Sequence, residues 1–199
     1  MTSAATELDG RRARRGRNRE AVVDALLELF REGELSPSVA AVAERSGVSL
    51  RSVFRYFDDL DEMGRIAIAR HTEGVQHLFP LPKLGEGART DRIKRMADHR
   101  VTLYEAVAPI VRATMIRAPF QPVIAAGLRD RREFLRGQVE AQFAPEISRV
   151  SEADRFALVA ALDALTSFET LELWHRDRGL AFTKCASVMR RALDQLLPR

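Results

Sequence analysis

The sequence contains a single cysteine, Cys185, so the chain cannot form an internal disulfide. No apolar run approaches the roughly 18 residues that a membrane-spanning helix needs. The arginines near the N-terminus are not followed by the apolar segment that a secretory signal requires. With 46% hydrophobic and 30% charged residues, the composition is that of a globular protein. We therefore expect a cytoplasmic protein that does not interact with a membrane.

Signatures of catalysis and of bound metal are also missing. The four histidines, His71, His77, His99 and His175, lack the spacing of a metal site. The sequence has no glycine-rich loop for phosphate binding and no nucleophile elbow. We therefore predict a protein that is not an enzyme and that has no metal and no cofactor.

Helical periodicity dominates what is present. Apolar residues recur at spacings of three and four along most of the chain, and no segment has the pattern of a strand. We predict an all-α protein of about nine helices. Its expected parts are a flexible basic arm over 1–18, a helix-turn-helix domain over 19–70 and a helical bundle over 71–199. Within the bundle, Pro109 is expected to end a helix that begins near residue 90.

One short stretch, residues 43–57, breaks a helix and restarts it almost at once. Gly47 can adopt the left-handed conformation that ends a helix, and Ser49 is a good N-cap for the next one. Val48 and Val53 supply apolar contacts beneath the turn. Two helices joined by so short a turn cross steeply, which is the spacing of a helix-turn-helix. A helical corner that binds no nucleic acid is the alternative.

The packing of Val53 leaves a polar face on the second helix of this motif. In a helix-turn-helix that helix enters the DNA major groove, where Arg contacts guanine and Ser contacts several base edges. The N-termini at Ser38 and Ser49 can receive phosphate oxygens. We predict DNA contacts from Arg17, Ser38, Ser49, Leu50, Arg51, Ser52, Arg55 and Tyr56.

Six arginines fall within residues 11–19, although the net charge of the whole chain is only +4. A basic arm can follow DNA or enter its minor groove. It can equally be a solvated tail, because arginine is used almost to the exclusion of lysine throughout this sequence. Both interpretations are open at this point.

The same stretch resembles the DNA-binding domain of the tetracycline-repressor (TetR) family over about residues 19–70. The resemblance rests on Ala43-Glu44-Arg45-Ser46-Gly47-Val48-Ser49 and on Phe54-Arg55-Tyr56-Phe57. Two positions depart from the family pattern, because Phe54 replaces a tyrosine and Leu60 replaces a lysine that contact phosphates in relatives. The resemblance implies a dimeric regulator that binds a palindromic operator in double-stranded DNA.

The resemblance also implies a homodimer formed by the last two long helices. Residues 156–165 are apolar nearly all round, which suits a helix with two partners. The final helix has an apolar face at helical spacing. The predicted interface consists of Leu158, Leu162, Leu165, Phe182, Cys185, Met189 and Leu193. The alternative is that 156–165 forms the central helix of a monomeric bundle.

In relatives the middle helices enclose a ligand cavity. Here they contain aromatic residues beside a few polar groups, a mixture that suits a small apolar or amphipathic ligand. The candidate lining residues are His99, Tyr104, Arg112, Met115, Phe134, Phe168 and Trp174. Each of them can equally be an ordinary core residue.

Taken together, these features predict a ligand-responsive transcriptional regulator, most simply a repressor. The rivals are an α-helical enzyme or carrier that retains a vestigial helix-turn-helix, and an architectural DNA-binding protein without a ligand. The missing phosphate contacts at Phe54 and Leu60 give the first rival only a small weight. The identity of the ligand and of the operator does not follow from the sequence.

Overall fold

The computed structural model describes the backbone of residues 2–199 and the side chains of residues 12–199. Ten α-helices lie within this range, and it contains no β-strand. The predicted all-α class is therefore confirmed. The helices are α1 (Thr2–Arg31), α2 (Val39–Ser46), α3 (Leu50–Tyr56), α4 (Leu60–Val75), α5 (Arg89–Arg117), α6 (Pro122–Gln142), α7 (Ala144–Ile147), α8 (Glu152–Leu165), α9 (Phe168–Leu171) and α10 (Phe182–Leu196). A 3₁₀ turn, Gln76–Leu78, follows α4, and a π-helical segment, Glu172–Asp177, follows α9.

The chain forms two compact units. The first contains the chain up to Gly74 together with Pro109–Ala125, and the second contains Val75–Ala108 and Ala126–Arg199. A single boundary near residue 70, as predicted, misses the return of Pro109–Ala125 to the first unit. Sequence periodicity reveals helices but not which of two cores a helix joins, so this exchange was not visible in it.

The first unit has one continuous apolar core. Val22, Leu26 and Phe30 of α1 are fully buried and meet the apolar faces of α2, α3 and α4. Ile110, Ala113 and Ile124 of the returning segment complete this core. One side of α3 therefore packs against this core, and its other side is exposed.

Arg117 anchors the returning segment. Its guanidinium donates to the carbonyl oxygens of Leu35, at 2.8 Å, and of Ala113, at 3.0 Å. It also lies over the ring of Phe30, 4.9 Å from the centroid. A Cβ at position 64 would lie 2.9 Å from the Arg117 Nε, so Gly64 allows α4 to approach this side chain closely.

Two sequence-based boundaries are wrong. Helix α1 begins at Thr2 and not near residue 19, so 2–18 are not an arm outside the helix. Alanine, leucine, glutamate and arginine in that stretch all have high helix propensity, so a helix can form there without an apolar face. Helix α5 runs through Pro109 because buried residues continue on both sides of it, with Val107 before and Ile110 after. Burial of this face offsets the hydrogen bond that proline removes.

The second unit consists of the middle and C-terminal helices. Helices α8 and α10 pack against each other, and α10 is strongly amphipathic, with Cys185, Met189 and Leu193 on its buried side. Helices α8 and α9 are separated at Thr166 and Ser167, where Ser167 caps α9 by accepting from the Thr170 N–H. No helix in the described part of the chain is both long and apolar enough to span a membrane.

Candidate functional site

The turn between α2 and α3 has the predicted geometry. Gly47 ends α2 in the left-handed region, at φ 66° and ψ 13°, and its N–H donates to the Glu44 carbonyl oxygen at 3.3 Å. A side chain at φ 66° would be strained. Val48 and Ala43 are buried beneath the turn. The helix-turn-helix hypothesis therefore has its expected backbone.

Both predicted N-caps are present. The Ser38 hydroxyl accepts from the Ala41 N–H at 3.1 Å, and the Ser49 hydroxyl accepts from the Ser52 N–H at 3.4 Å. The Ser49 hydroxyl also donates to the Ser52 hydroxyl at 3.0 Å. Both hydroxyls therefore stabilise the first turns of α2 and α3 by hydrogen bonds to the backbone. Their contact with phosphate stays a prediction.

The exposed side of α3 consists of two pairs spaced four residues apart. Arg51 and Arg55 form one pair and are both exposed. Leu50 and Phe54 form the other, with 45% and 58% of their surface exposed. Val53, at 1% exposure, faces the core. Large apolar side chains left exposed next to arginines on one short helix indicate a surface that meets a partner.

Tyr56 is a correction to the predicted contact set. It is buried at 9% exposure, because it follows Val53 by three residues and so shares the inner side of α3. Its hydroxyl accepts from Asn18 Nδ2 at 3.3 Å and from Arg55 Nη2 at 3.2 Å. These hydrogen bonds, that of Asn18 first, lower the pKa of the Tyr56 hydroxyl. Tyr56 thus links α1 to α3 and is not part of the exposed face.

The start of α4 explains one departure from the family pattern. The Asp59 carboxylate accepts from the Glu62 N–H at 2.6 Å, and the Glu62 carboxylate accepts from the Asp58 N–H at 2.7 Å. Asp59 thus caps α4, and Glu62 reaches back to the N–H of the residue before the cap, in a variant of the capping box. Leu60 between them packs, half-buried, against the core of the first unit. Acids and a core leucine therefore occupy the place of a phosphate-binding lysine.

Helix α1 places further arginines beside α3. The Arg15 guanidinium lies 5.8 Å from the centre of the Tyr56 ring, and that of Arg19 lies 5.2 Å from the centre of the Phe57 ring. Arg55 also lies over Tyr56, at 5.2 Å. Arg17 is exposed on α1, but two residues, or about 200° of rotation, separate it from Arg15. Arg17 therefore lies on a different side of α1.

The structure shows a direct contact for only one pair of the predicted ligand-lining residues. Tyr104 and Phe168 do meet, with ring centres 4.9 Å apart. By contrast, Phe134 is 50% exposed, and Arg112 and Met115 belong to the first unit whereas the others belong to the second. Trp174 is half-buried in the π-helical segment. Aromatic content alone does not tell whether such residues pack together, so a shared ligand-lining role for this set stays a prediction.

His99 is fixed by two neighbours. Its Nε2 lies 3.0 Å from the Leu78 carbonyl oxygen, so that nitrogen carries the hydrogen and donates. Its Nδ1 lies 3.4 Å from an Arg100 Nη1. Burial, and next the Arg100 charge, lower the pKa of His99. This histidine serves as a neutral link between two segments of the second unit.

A buried polar network in the second unit escaped the sequence analysis. Arg100 is completely buried and donates to Gln138 Oε1 at 2.9 Å and to the Leu135 carbonyl oxygen at 2.8 Å. Burial lowers its pKa to about 10. Arg92 and Glu146 form a buried ion pair. The sequence contained one indication of this burial. Arg92 and Arg100 lie four residues before and after the apolar Met96, so the helical period places them on the same side of α5.

A surface groove of about 540 Å³ lies between α6, α7 and α8. Ile147, Val159 and Phe156 are its apolar contributors, and Arg136 and Arg155 are its cations; Glu140, Ala144, Ser148 and Glu152 complete the lining. Its volume is in the range of small-molecule sites. None of these nine residues was among the predicted ligand contacts. The described residues hold no cluster of His, Cys, Asp and Glu fit for a metal ion.

The predicted dimer residues separate into two groups. Leu162, Cys185, Met189 and Leu193 have 0% exposure within the single chain, so they belong to its own core and their assignment to an interface is wrong. Leu158, Leu165 and Phe182 are half-buried. The pattern of apolar residues on α8 shows two apolar sides but not which one α10 of the same chain covers.

Helix α8 also has a second apolar side, which is exposed in the single chain. Ala153, Ala157, Ala160 and Ala164 recur at spacings of four and three, and all are exposed. Phe156 beside them is 75% exposed. We call these five residues the α8 face.

Comparisons with known proteins agree on the fold. No family model and no curated protein sequence matches this chain. A transcriptional regulator from Rhodococcus sp. Rha1 is 18% identical over 89% of this chain and 95% of its own, with a TM-score of 0.66. A TetR-family transcriptional regulator from Streptomyces coelicolor is 18% identical over 90% of this chain and 79% of its own, with a TM-score of 0.67.

A third similar structure, of a protein from Saccharomonospora viridis, was solved in complex with choline. It is 14% identical over 91% of this chain and 98% of its own, with a TM-score of 0.66. In each case the likeness extends over about nine tenths of this chain. The chain therefore has the fold of the TetR-family transcriptional regulators.

Proposed function

We propose that the protein is a DNA-binding transcriptional regulator that reads its operator with α3. The observation that carries this proposal is the exposed side of α3, which presents two arginines and two large apolar side chains. Val53 on the opposite side packs α3 against the core. A helix used only as a structural corner would not leave Leu50 and Phe54 half-exposed beside paired cations. The major groove accepts a helix of this size.

The two pairs on α3 suit different features of the base edges. Arginine forms bidentate hydrogen bonds with O6 and N7 of guanine, whereas an apolar side chain contacts the methyl group of thymine. Arg51 lies near the start of α3, where a recognition helix approaches the bases most closely. We therefore expect a half-site in which guanine and thymine stand close together.

This arrangement predicts how the bases are read. In an operator selected by the protein from random duplexes, deoxyuridine in place of thymidine at the Phe54 contact removes only a methyl group. We expect wild-type binding to weaken by about 1 kcal/mol, the value of one buried methyl, and the Phe54→Ala variant not to respond. Gel shifts at fixed salt provide the measurement.

Arg51→Ala is the matched control for this experiment. It should lose about 1–3 kcal/mol on the operator yet keep the response to deoxyuridine. Binding of random duplexes should change less. An equal loss on operator and random DNA would mean that Arg51 does not read bases, and a Phe54→Ala variant that still responds to deoxyuridine would remove Phe54 from the interface.

We propose further that two copies bind one palindromic operator, most simply as a repressor. One short helix touches too few bases for useful specificity, so readers of this type work in symmetric pairs with half-sites about 34–36 Å apart. The α8 face supports the pairing, since it exposes a side chain as large as Phe156 beside four alanines. Small side chains allow two helices to approach closely.

A small-molecule signal is the third part of the proposal. The groove between α6, α7 and α8 combines an apolar lining with two arginines and two glutamates, which suits an amphipathic molecule with one polar group. The choline complex of the Saccharomonospora viridis protein supports a role of this kind. A compound that weakens operator binding should lose its effect in Val159→Trp, which fills the groove. An unchanged effect in that variant would place the ligand elsewhere.

A further inference from the structure

The N-terminal half of α1 carries a row of arginines on the side that faces α3. Arg12, Arg15 and Arg19 are spaced three and four residues apart and therefore share one side of the helix. All three are exposed. Asn18, between them, donates to the hydroxyl of Tyr56, the last residue of α3. The row is thus held next to the proposed reading helix.

The charges of this row have few partners within residues 12–199. Arg15 and Arg55 lie within 5.8 Å and 5.2 Å of the centre of the same Tyr56 ring, so two guanidinium groups meet on one aromatic side chain. Within residues 12–199, neither of them nor Arg12 forms an ion pair, and Arg19 has only a loose one with Glu62, at 3.6 Å. Like charges gathered with so few carboxylate partners in this range cost free energy in the isolated chain. A polyanion would remove this cost.

The dimensions also suit DNA. The seven steps from Arg12 to Arg19 rise about 10 Å along α1. That length equals about three steps of a DNA strand, at 3.4 Å each. Guanidinium groups bind phosphate oxygens in bidentate fashion.

We propose that the N-terminal part of α1 is a second DNA-binding element, in which Arg12, Arg15 and Arg19 bind backbone phosphates beside the bases that α3 reads. This inference rests on the proposed function. It supplies phosphate contacts that Phe54, without a hydroxyl, and Leu60, packed against the core, do not make. The element contributes affinity and register but no base specificity.

The test compares two variants that each lose two charges from α1. Arg12→Ala with Arg15→Ala removes most of the row, whereas Arg14→Ala with Arg31→Ala removes one arginine from another side of α1 and one from its far end. Binding to a mixed-sequence duplex is measured at several salt concentrations. Two lost phosphate contacts should reduce the slope of log K against log salt by about 1.8. Wild-type protein should then lose about tenfold more affinity between 50 and 200 mM salt than the row variant.

The Arg14 and Arg31 variant should keep the wild-type slope. Replacing Arg12 and Arg15 with lysine should restore it, since lysine retains the charge; a slope that stays low would overturn the phosphate role. Alanine favours helix, so α1 should stay folded in the alanine variants. Circular dichroism checks this. Equal slopes for the two double-alanine variants, with wild-type protein still preferring its selected operator, would overturn this inference alone. A wild-type protein that binds no duplex would overturn the proposed function as well.

Discussion

Replacing Ala160 with glutamate is expected to convert the proposed dimer into folded monomers. Ala160 is exposed on the α8 face, so the new carboxylate is solvated in a single chain. In a symmetric pair the substitution occurs twice in one interface, where two desolvated charges without partners cost several kcal/mol. A cost of about 3 kcal/mol raises the dimer Kd more than a hundredfold. Light scattering at micromolar protein gives the mass, and operator binding should weaken in parallel.

Leu162→Glu is the informative partner of this variant. It introduces the same side chain two residues further along α8, at a position with 0% exposure in the single chain. An unpaired charge buried in a core costs a large part of the free energy of unfolding of a domain. The second unit of Leu162→Glu should therefore unfold, as shown by loss of helical circular dichroism, whereas Ala160→Glu should keep its helices.

Gln195→Glu serves as the control for added charge, because Gln195 is exposed on α10 outside the α8 face. It should remain a dimer. A wild-type protein that is monomeric at micromolar concentration would contradict the dimer proposal. A dimeric Ala160→Glu would leave the pairing intact but move it away from the α8 face.

The second large effect is expected at the buried ion pair of the second unit. Glu146 and Arg92 have side-chain exposures of 2% and 9%, and Arg92 also donates to the Gly87 carbonyl oxygen at 2.7 Å. Glu146→Ala leaves the Arg92 charge buried without its partner, which costs about 3–5 kcal/mol. The single tryptophan, Trp174, lies in the second unit, so its fluorescence during urea unfolding reports on that unit.

Two comparisons identify the cause of such a loss. Removing both charges, with Glu146→Leu and Arg92→Met together, should restore stability to near the wild-type value or above it. Lys94→Ala breaks an ion pair with Asp98 on the same helix, but Lys94 is 65% exposed, so the change should stay below about 1 kcal/mol. If the double variant is as unstable as Glu146→Ala, the Glu146 side chain matters through packing and not through the charge of Arg92.

The parts of the site that could be predicted are those that depend on neighbours in the sequence. A left-handed Gly47, a capping Ser49 and an inward Val53 follow from backbone geometry and from the helical period. The same period predicted that Arg51 and Arg55 would be exposed, as they are. Tyr56 could have been placed by this rule as well, because it follows Val53 by three residues.

The errors concern partners that lie far apart in the sequence. Pro109 was expected to end a helix, but α5 continues through it, with Val107 before it and Ile110 after it both buried. Tyr104 and Phe168 meet, whereas Phe134 remains exposed. Composition cannot distinguish these three aromatic residues, since only the packing of helices decides which rings meet.

By itself, then, the sequence determined the helical class, the helix-turn-helix turn and the exposed side of α3, because hydrogen bonds, caps and periodicity act over a few residues. Only the tertiary structure decided that α1 carries its arginines beside Tyr56, that Pro109–Ala125 joins the first unit, and that Leu162 is buried whereas Ala160 is exposed. When a helix has two apolar sides, burying either side yields a similar hydrophobic free energy. The choice between them depends on the shape of the whole core, which no local pattern contains.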